Sequence, residues 1–433
     1  MEASALESSS KFRLKLHWQV AAALVLAVIA GTTLGQHAWF INGCDFVGSL
    51  FLNALKMVVV PLIMASIIHA LLGLADGKAL GRMGSRAMIY YLSTCLMAVL
   101  IGLAMVNLIH PGVIDGVPAG DRLGLTAGSD DIRARLGNHG LGDIVGVFQR
   151  MVPPNLIEAA ASGNLIGIVF FSLLYGYFAS RLPVELADSQ RRFWGAVRST
   201  MLGITGLVIL TAPLGVFALV SKTVAATGWD AIRPLALFFV TVLGGLAIQM
   251  LVGLGLTLKL IARVSPWRHL QAMSPALLTA FSSSTSAGTL PLTMDCLQNR
   301  AGVSARVTSF VLPLGSAINL DGSALYECVV AMFLAQAYGI ELSFATQFVI
   351  VLMAVLTSMG VAGIPSASLV AISVILGAIG LPLEGLGVIL AVDRVLDMCR
   401  TAVNVYGDSC ATVVIARLEG ETGILQAPSV PGA

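Results

Sequence analysis

Long apolar runs, separated by short polar or basic segments, dominate the chain up to about residue 262. They fall at about 18–35, 46–74, 87–109, 164–180, 200–224 and 234–262. A helix of about 20 apolar residues crosses roughly 30 Å of hydrocarbon. The pattern therefore predicts six membrane-spanning helices before the chain becomes irregular.

The orientation of these helices follows from the basic residues between them. The first apolar run is too long for a signal peptide and lacks a convincing cleavage site, so we expect a retained helix. Positive charges favour the cytoplasmic side of a membrane. They cluster at Lys11, Arg13, Lys15, Lys78, Arg82, Arg86, Arg181, Arg191, Arg192, Arg198, Lys259, Arg263 and Arg268. An acidic, glycine-containing stretch at about 110–150 then becomes an external loop, and both termini are predicted to be cytoplasmic.

Composition agrees with a membrane protein. Of 433 residues, 57% are hydrophobic and 11% charged, with a mean hydropathy of +0.89 and a net charge of +2. A nucleic-acid-binding protein would carry a concentrated basic footprint, which this balance does not suggest. The six cysteines form no close pair and are interpreted as packed thiols, not as a zinc site or disulfide framework. The short loops favour a bacterial inner membrane.

Polar and glycine- or proline-containing segments interrupt the apolar pattern in the second half. Two of them, at 281–291 and 358–368, lie between apolar runs. Lipid cannot satisfy the backbone groups of irregular structure, so such segments must line a cavity enclosed by protein. They suggest two re-entrant hairpins, whose small residues let backbone N–H groups approach an anionic ligand. The alternative for the serine-rich segment is an ordinary solvated loop.

Asn319 and Asp321 fall inside a third such segment, at 315–323, which is also flanked by apolar sequence. A carboxylate within a membrane is costly and usually functional. An interrupted helix that presents carbonyls, an amide and a carboxylate is a suitable site for a hard cation such as Na⁺. A short polar loop at the membrane surface is the alternative.

A polar helical face is predicted near the C-terminus. Asp397, Arg400, Thr401, Asn404 and Asp408 are spaced by 3, 1, 3 and 4 residues and share one side of a helix. The set suits a zwitterionic ligand, because Asp397 can take an ammonium group and Arg400 a carboxylate, with Asn404 at a second carboxylate. A purely structural Asp–Arg ion pair between helices is the alternative.

These segments resemble the dicarboxylate/amino acid:cation symporter family, which includes sodium-coupled glutamate and aspartate transporters. The resemblance covers nearly the whole chain. It rests on the serine-rich segment, on Asn-Leu-Asp-Gly-Ser at 319–323, on Gly-Ile-Pro at 363–365, and on Arg-Thr-x-x-Asn-x-x-Gly-Asp at 400–408, which occur in the family's order.

The resemblance implies an all-α membrane protein with eight transmembrane helices, two re-entrant helical hairpins and inverted repeats. It also implies a homotrimer that works by an elevator type of alternating access. The scaffold would comprise about 14–74 and 141–225. The transport domain would comprise about 83–109 and 231–418, with hairpin tips near 282–291 and 358–368, followed by a C-terminal tail at 419–433.

The resemblance also implies the site residues. Substrate would contact Ser286, Ala287, Ser323, Ile364, Pro365, Ser366, Ala367, Ser368, Asp397, Arg400, Thr401 and Asn404. One sodium site would use Gly315, Asn319, Asn404 and Asp408, and a second would use Ser316, Ser358, Met359 and Val361. A third would use Tyr91, Thr94, Cys95, Asn319 and Asp321. Besides sodium as coupling ion, no organic cofactor is expected.

The chain departs from the family pattern at several positions. Cys95 stands where members often have serine or threonine, and a thiol is a poor ligand for a hard cation. Ser323 replaces a common threonine, and Ala287 a serine. Members also commonly place an arginine beside Asp397, but the corresponding positions here are Ser284 and Met398, so the partner of Asp397 is open.

Glu327 matches a position where proton-coupled members hold a glutamate. A carboxyl group buried away from water favours its neutral form, so Glu327 is predicted to carry a proton with substrate and sodium. A carboxyl that only packs helices together is the alternative.

Four other functions are weighed against an acidic amino acid symporter. A C4-dicarboxylate carrier has no need of Asp397 at an ammonium position, and a neutral amino acid carrier has no need of Arg400. A channel can also bury polar re-entrant loops, as selectivity filters do. For an intramembrane enzyme the sequence offers neither an H-E-x-x-H nor a G-x-S-x-G motif, so the chain is predicted not to be an enzyme.

Overall fold

Helices make up almost all of the structure. The computed structural model describes residues 16–73, 78–125, 152–162, 165–227, 231–358 and 368–425. The helices of the first half are α1 (Leu16–Leu34), α2 (Ala38–Gly73), α3 (Lys78–Ile109), α4 (Leu156–Ser162), α5 (Leu165–Ala179), α6 (Val184–Leu210) and α7 (Ala212–Thr227). Between α3 and α4, the short strands β1 (Val113–Ile114) and β2 (Val117–Pro118) pair antiparallel.

The second half continues with shorter and more interrupted helices. They are α8 (Ile232–Ile248), α9 (Leu254–Thr257), α10 (Pro266–Ser283), α11 (Ser286–Asp295), α12 (Ala305–Ile318), α13 (Asp321–Ala337), α14 (Phe344–Ser358), α15 (Ser368–Ala378) and α16 (Leu386–Leu418). The π-helical turn Gln249–Gly253 joins α8 to α9, and a second one, Leu258–Ala262, continues the same helical segment after α9.

The predicted span at 200–224 is wrong as a single straight helix. It straddles a break at Thr211, where α6 and α7 meet at an angle of 52°. Pro213, two residues further on, has no N–H to continue the hydrogen-bond ladder, and its ring restricts the backbone before it. The apolar pattern continues through the bend because both helices keep apolar faces.

Among the described residues, three segments are long and apolar enough to cross a membrane. They are Arg82–Ile109, Arg233–Ala262 and Ala305–Ala337, and the bent pair of α6 and α7 would make a fourth. The segment Ala305–Ala337 contains the break between α12 and α13 and lies in the centre of the molecule. Nearly all of α13 is buried, against α3, α14 and α16.

The residues after α16, which begin the predicted C-terminal tail, pack onto the bundle. Glu419 forms ion pairs with Arg82 and Arg86, at 3.4 and 2.8 Å. Ile424 is buried, and the backbone N–H of Leu425 donates to the carbonyl of Ala301. The first residues of the predicted tail therefore contact the helices.

Candidate functional site

The helix predicted to be interrupted near Asp321 is interrupted. Helix α12 ends at Ile318 and α13 begins at Asp321, while Asn319 (φ −98°, ψ 88°) and Leu320 (φ −115°, ψ 57°) are not helical. The backbone of α13 then runs directly against α16. A Cβ atom at Gly322 would lie 2.8 Å from the carbonyl oxygen of Arg400, so this approach requires glycine.

Asp321 is fully buried, and both of its carboxylate oxygens accept hydrogen bonds. The hydroxyl of Thr94 lies 3.3 Å from Oδ1, and Nε2 of Gln249 lies 3.0 Å from Oδ2. The hydroxyl of Thr94 also lies 3.4 Å from Oδ1 of Asn319. Helix α3 thus contacts the interrupted region through Thr94.

Asp408 is the second buried carboxylate beside the break. Its Oδ1 accepts a hydrogen bond from Nδ2 of Asn319 at 3.1 Å. Gly315 makes room for this contact, because a Cβ there would lie 2.7 Å from Oδ1 of Asp408 and 2.9 Å from the hydroxyl of Tyr91. Among the described residues, no basic side chain lies within ion-pair distance of Asp408 or Asp321. Two uncompensated carboxylates with nearby amide and carbonyl oxygens are a suitable donor set for a hard cation.

Asn404 joins α16 to the start of α13. Its Oδ1 accepts from the backbone N–H of Gly322 at 2.8 Å, and its Nδ2 donates to the hydroxyl of Ser323 at 3.2 Å. Thr401, one turn earlier, donates its hydroxyl to the carbonyl of Asp397. The predicted polar face of α16 therefore contacts the interrupted helix and does not face lipid.

Arg400 heads the largest fully buried side chains of the described residues. Its Nη2 lies 2.9 Å from Oδ1 of Asp397 and 3.1 Å from Oδ1 of Asp393. Its guanidinium carbon stacks 3.7 Å from the centre of the Tyr326 ring, and the Tyr326 hydroxyl donates to Asp393 at 2.8 Å. Nε and Nη1 of Arg400 are buried without a hydrogen-bond partner among the described residues. An anion adjacent to these donors would be strongly bound.

Arg394 is a second basic partner of Asp397, beside Arg400. Its Nη1 lies 3.3 Å from Oδ2 of Asp397, one helical turn away and 12% exposed. Sequence reasoning missed Arg394, Asp393 and Tyr326. Helical spacing in the sequence could have indicated two of them. Asp393 precedes Arg400 by seven residues and Tyr326 follows Ser323 by three, so each pair shares one helical face.

The serine-rich tip is more helical than predicted. Helix α10 continues through Ser283, and α11 begins at Ser286, so only Ser284 and Thr285 form the turn. Thr285 caps α11 by accepting from the N–H of Gly288, and Ser284 (φ 53°) takes the left-handed conformation that ends α10. The hydroxyl oxygens of Ser283, Ser284 and Ser286 are buried without a hydrogen-bond partner among the described residues.

Two residues of different predicted sodium sites contact each other. Sγ of Cys95, from the predicted third site, lies 3.3 Å from the hydroxyl of Ser358, from the predicted second site. Tyr91, also of the third site, donates its hydroxyl to the carbonyl of Val311 at 2.8 Å. Helices α3, α12 and α14 therefore meet around the break, but Cys95 has a hydroxyl partner already.

Glu327 lies two turns into α13 and is fully buried. The hydroxyl of Thr357 donates to its Oε2 at 2.8 Å, while Oε1 is buried without a hydrogen-bond partner among the described residues. A buried carboxylate with one oxygen unsatisfied is costly, whereas a protonated carboxyl removes that charge.

Part of the predicted site lies outside the described residues: Met359, Val361, Ile364, Pro365, Ser366 and Ala367. Ser368 is buried at the start of α15. Ser316 is also buried, and Ala287 lies in the first turn of α11, a helix that packs against α16.

The chain matches the sodium:dicarboxylate symporter family over residues 16–418. It is 34% identical over 413 residues to the proton/glutamate-aspartate symporter of Escherichia coli (strain K12), covering 94% of this chain and 93% of that protein. It is 31% identical over 409 residues to the proton/sodium-glutamate symport protein of Geobacillus stearothermophilus, covering 94% and 96%. It is 32% identical over 461 residues to excitatory amino acid transporter 3 of Mus musculus, covering 94% and 86%.

The chain belongs to the sodium:dicarboxylate symporter family. The resemblance inferred from four short segments is thereby confirmed along nearly its whole length. Members of this family are membrane transporters, not enzymes.

Proposed function

We propose that this protein is a secondary active symporter that carries glutamate or aspartate together with sodium ions. The observation that supports the substrate class is the buried Arg400, which pairs with Asp393 and Asp397, while its Nε and Nη1 have no hydrogen-bond partner among the residues that the structure describes. A fully desolvated guanidinium with spare donors suits a carboxylate ligand. The relatives named for glutamate and aspartate transport support the same choice.

Substrate binding is proposed to exchange the partners of Asp397. In the structure, its two oxygens contact Arg400 and Arg394. A substrate carboxylate that pairs with Arg400 would release Oδ1 of Asp397 for the substrate ammonium. Asp393 would keep Arg400 in place through this exchange, because the Tyr326 hydroxyl fixes its carboxylate. Ser286, Ala287, Ser323, Thr401, Asn404, Ser368 and the second tip at 364–367 would complete the pocket.

Sodium is proposed to bind where Asp321 and Asp408 lie buried, with no basic partner in the described part of the chain. One ion would use Gly315, Asn319, Asn404 and Asp408, and another Thr94, Asn319 and Asp321 with Tyr91. A site at Ser316, Ser358, Met359 and Val361 is proposed as well. Because the thiol of Cys95 already contacts Ser358, we expect Cys95 to contribute little to sodium affinity.

The remaining parts of the proposal concern coupling and architecture. Glu327 would carry a proton, since its Oε1 has no described partner. The protein would form a homotrimer with eight transmembrane helices, two re-entrant hairpins and inverted repeats, and would work as an elevator. It would sit in a bacterial inner membrane with both termini cytoplasmic.

A C4-dicarboxylate is the second candidate substrate, because Arg394 and Arg400 together balance the charge of Asp397 and Asp393. Uptake of radiolabelled L-aspartate into proteoliposomes, with and without an inward sodium gradient, separates the two. Sodium-dependent uptake that L-glutamate blocks and succinate does not block supports the proposal. Competition by succinate alone, or uptake that is independent of sodium, would overturn it. Competition by L-serine would indicate a neutral amino acid carrier, and uptake that does not saturate would indicate a channel.

A further inference from the structure

Gln249 is a buried amide in a long and mostly apolar helical segment, Arg233–Ala262. The most apolar window of this segment has a mean hydropathy of 2.3, and only 33% of that window is buried. Gln249 itself is completely buried and begins a π-helical turn that ends at Gly253. Such turns are rare and often lie at functional sites. A polar side chain at this position is costly unless its groups are used.

The amide nitrogen of Gln249 bridges two groups of the proposed cation site. Nε2 lies 3.0 Å from Oδ2 of Asp321 and 3.2 Å from the carbonyl oxygen of Thr94. Both neighbours are acceptors, so the atom between them must be the N–H₂ group. Since the Thr94 hydroxyl holds Oδ1 of Asp321, the two hydrogen bonds together fix the plane of the carboxylate.

These hydrogen bonds are compatible with cation binding at the same oxygens. Carboxylate and carbonyl oxygens have more than one lone pair each, so one can accept from Gln249 while another faces an ion. Mutation of a residue that hydrogen-bonds to metal ligands in this way commonly changes metal affinity 10–100-fold.

Gly253 provides the space for the amide. A Cβ atom at Gly253 would lie 2.7 Å from Oε1 of Gln249 and 2.8 Å from the end of Met97. Oε1 is buried without a hydrogen-bond partner among the described residues, so packing and the two Nε2 contacts hold the side chain. Any side chain at position 253 would push the amide out of its present place.

We propose that Gln249 is a positioning residue of the cation site, which sets sodium affinity by holding Asp321 and the Thr94 carbonyl at the separation that the ion requires. The inference rests on the proposed sodium coupling. It extends that proposal to the π-helical turn after α8, none of whose residues is among the predicted sodium ligands.

The first measurement is sodium-dependent thermal stabilisation of the purified protein in detergent, without substrate. In Gln249→Met, which keeps the volume and removes the donors, the half-saturating sodium concentration should rise about tenfold or more. Gly253→Ala should raise it in the same direction through displacement of the amide. Gln336→Leu is the matched control, because Gln336 also bonds backbone groups of the α3 region, at Val106 and Gly112, away from the carboxylates.

The second measurement is uptake in proteoliposomes, where Gln249→Met should raise the half-saturating sodium concentration while the maximal rate at saturating sodium stays within about twofold of wild type. If Gln249→Met does not yield folded protein, Gly253→Ala and Gln249→Asn are compared instead. Sodium affinity within twofold of wild type in the folded variants would overturn the inference. A wild-type protein that sodium neither stabilises nor drives would overturn the proposed sodium coupling itself.

Discussion

The segment Ala305–Ala337 and the segment Arg82–Ile109 are both long enough to cross a membrane, but they differ in their surroundings. Within the most apolar window of each, 94% of the first is buried inside the protein and 33% of the second. The buried segment contains Asn319, Asp321 and Glu327, and has a mean hydropathy of 1.3 against 2.3. Polar groups are thus carried by the segment that protein surrounds, where other side chains can satisfy them.

The centre of the bundle, around α13, and its periphery also satisfy their polar groups differently. On the peripheral helices α1 and α6, hydroxyls such as those of Thr32 and Thr200 donate to carbonyls four residues earlier. Around α13, the hydrogen bonds of Asn319 and Asn404 join residues more than 80 positions apart. Local bonds leave a peripheral helix self-sufficient, whereas the central polar groups depend on the folded bundle. We therefore expect substitutions in the centre to have the larger effects.

The largest effect is expected for Arg400→Cys. The substitution removes the proposed carboxylate partner and leaves Asp393 and Asp397 buried without Arg400. Breaking a buried ion pair costs about 3–5 kcal/mol, and uptake of L-aspartate should fall by about 100-fold or more. Preference should shift toward neutral amino acids such as L-serine, measured by competition in proteoliposomes.

Arg181→Cys is the peripheral control for Arg400→Cys. Arg181 stacks on Tyr177 at 4.3 Å, but it is exposed. Its loss should leave aspartate uptake within about twofold of wild type, since exposed cation–π contacts contribute about 0.5–1 kcal/mol. Retention of aspartate selectivity in Arg400→Cys would contradict the role of Arg400 and the expected difference between the regions.

The next largest effect is expected for Gly315→Ala, with Gly43→Ala as its control. In Gly315→Ala, the new Cβ would lie 2.7 Å from Asp408 and 2.9 Å from Tyr91, so one of them must move. Overpacking typically costs about 1–3 kcal/mol, and we expect sodium affinity to fall about tenfold. A Cβ at Gly43 in α2 meets nothing within 4 Å, so Gly43→Ala should be neutral or stabilising by up to about 1 kcal/mol. Thermal unfolding at graded sodium concentrations measures both, and equal behaviour of the two variants would contradict the comparison.

The sequence predicted some helices and site residues of this protein and missed others. The apolar pattern located α1 and α5 closely, but it missed the first turns of α2 and α3 and the break at Thr211. It also located the break at Asn319, since an intramembrane carboxylate has few alternatives. It did not locate Gln249 or Arg394. The contacts of Gln249 span 72 and 155 positions, which no local pattern encodes. Arg394, by contrast, precedes Asp397 at an i,i+3 helical spacing that the sequence does contain.

Composition also leaves two details of the structure unpredicted, namely the short turn of the serine-rich tip and the contacts of the residues after α16. Ser282 and Ser283 resemble a loop by composition, yet α10 continues through them, because Ser284 and Thr285 alone form the turn. Glu419 resembles the start of a tail, yet Arg82 and Arg86 fix it from α3. Composition describes average behaviour, while tertiary partners decide these cases.

A smaller effect is expected for Glu327→Gln, in the same buried helix. If Glu327 carries the proton, wild-type uptake falls as pH rises, because fewer carriers are protonated when substrate binds. Glutamine keeps the hydrogen-bonding shape of the neutral acid, so Thr357 can still contact it and the rate should become nearly independent of pH. Uptake measured between about pH 5 and pH 9, across the range in which a buried glutamate can titrate, gives the profile. An unchanged pH profile in the variant would refute proton coupling through Glu327.

The smallest effect is expected at the periphery, where Lys222 of α7 pairs with Asp45 of α2. The two side chains are 49% and 60% exposed, so water competes for both charges. Exposed ion pairs contribute about 0–1 kcal/mol, and less at high salt. Lys222→Met should therefore shift the unfolding temperature by only a few degrees and leave sodium-dependent aspartate uptake unchanged. A loss of transport comparable to that of Arg400→Cys would mean that the pair lies in a region that moves during transport, and that exposure alone does not separate the two regions.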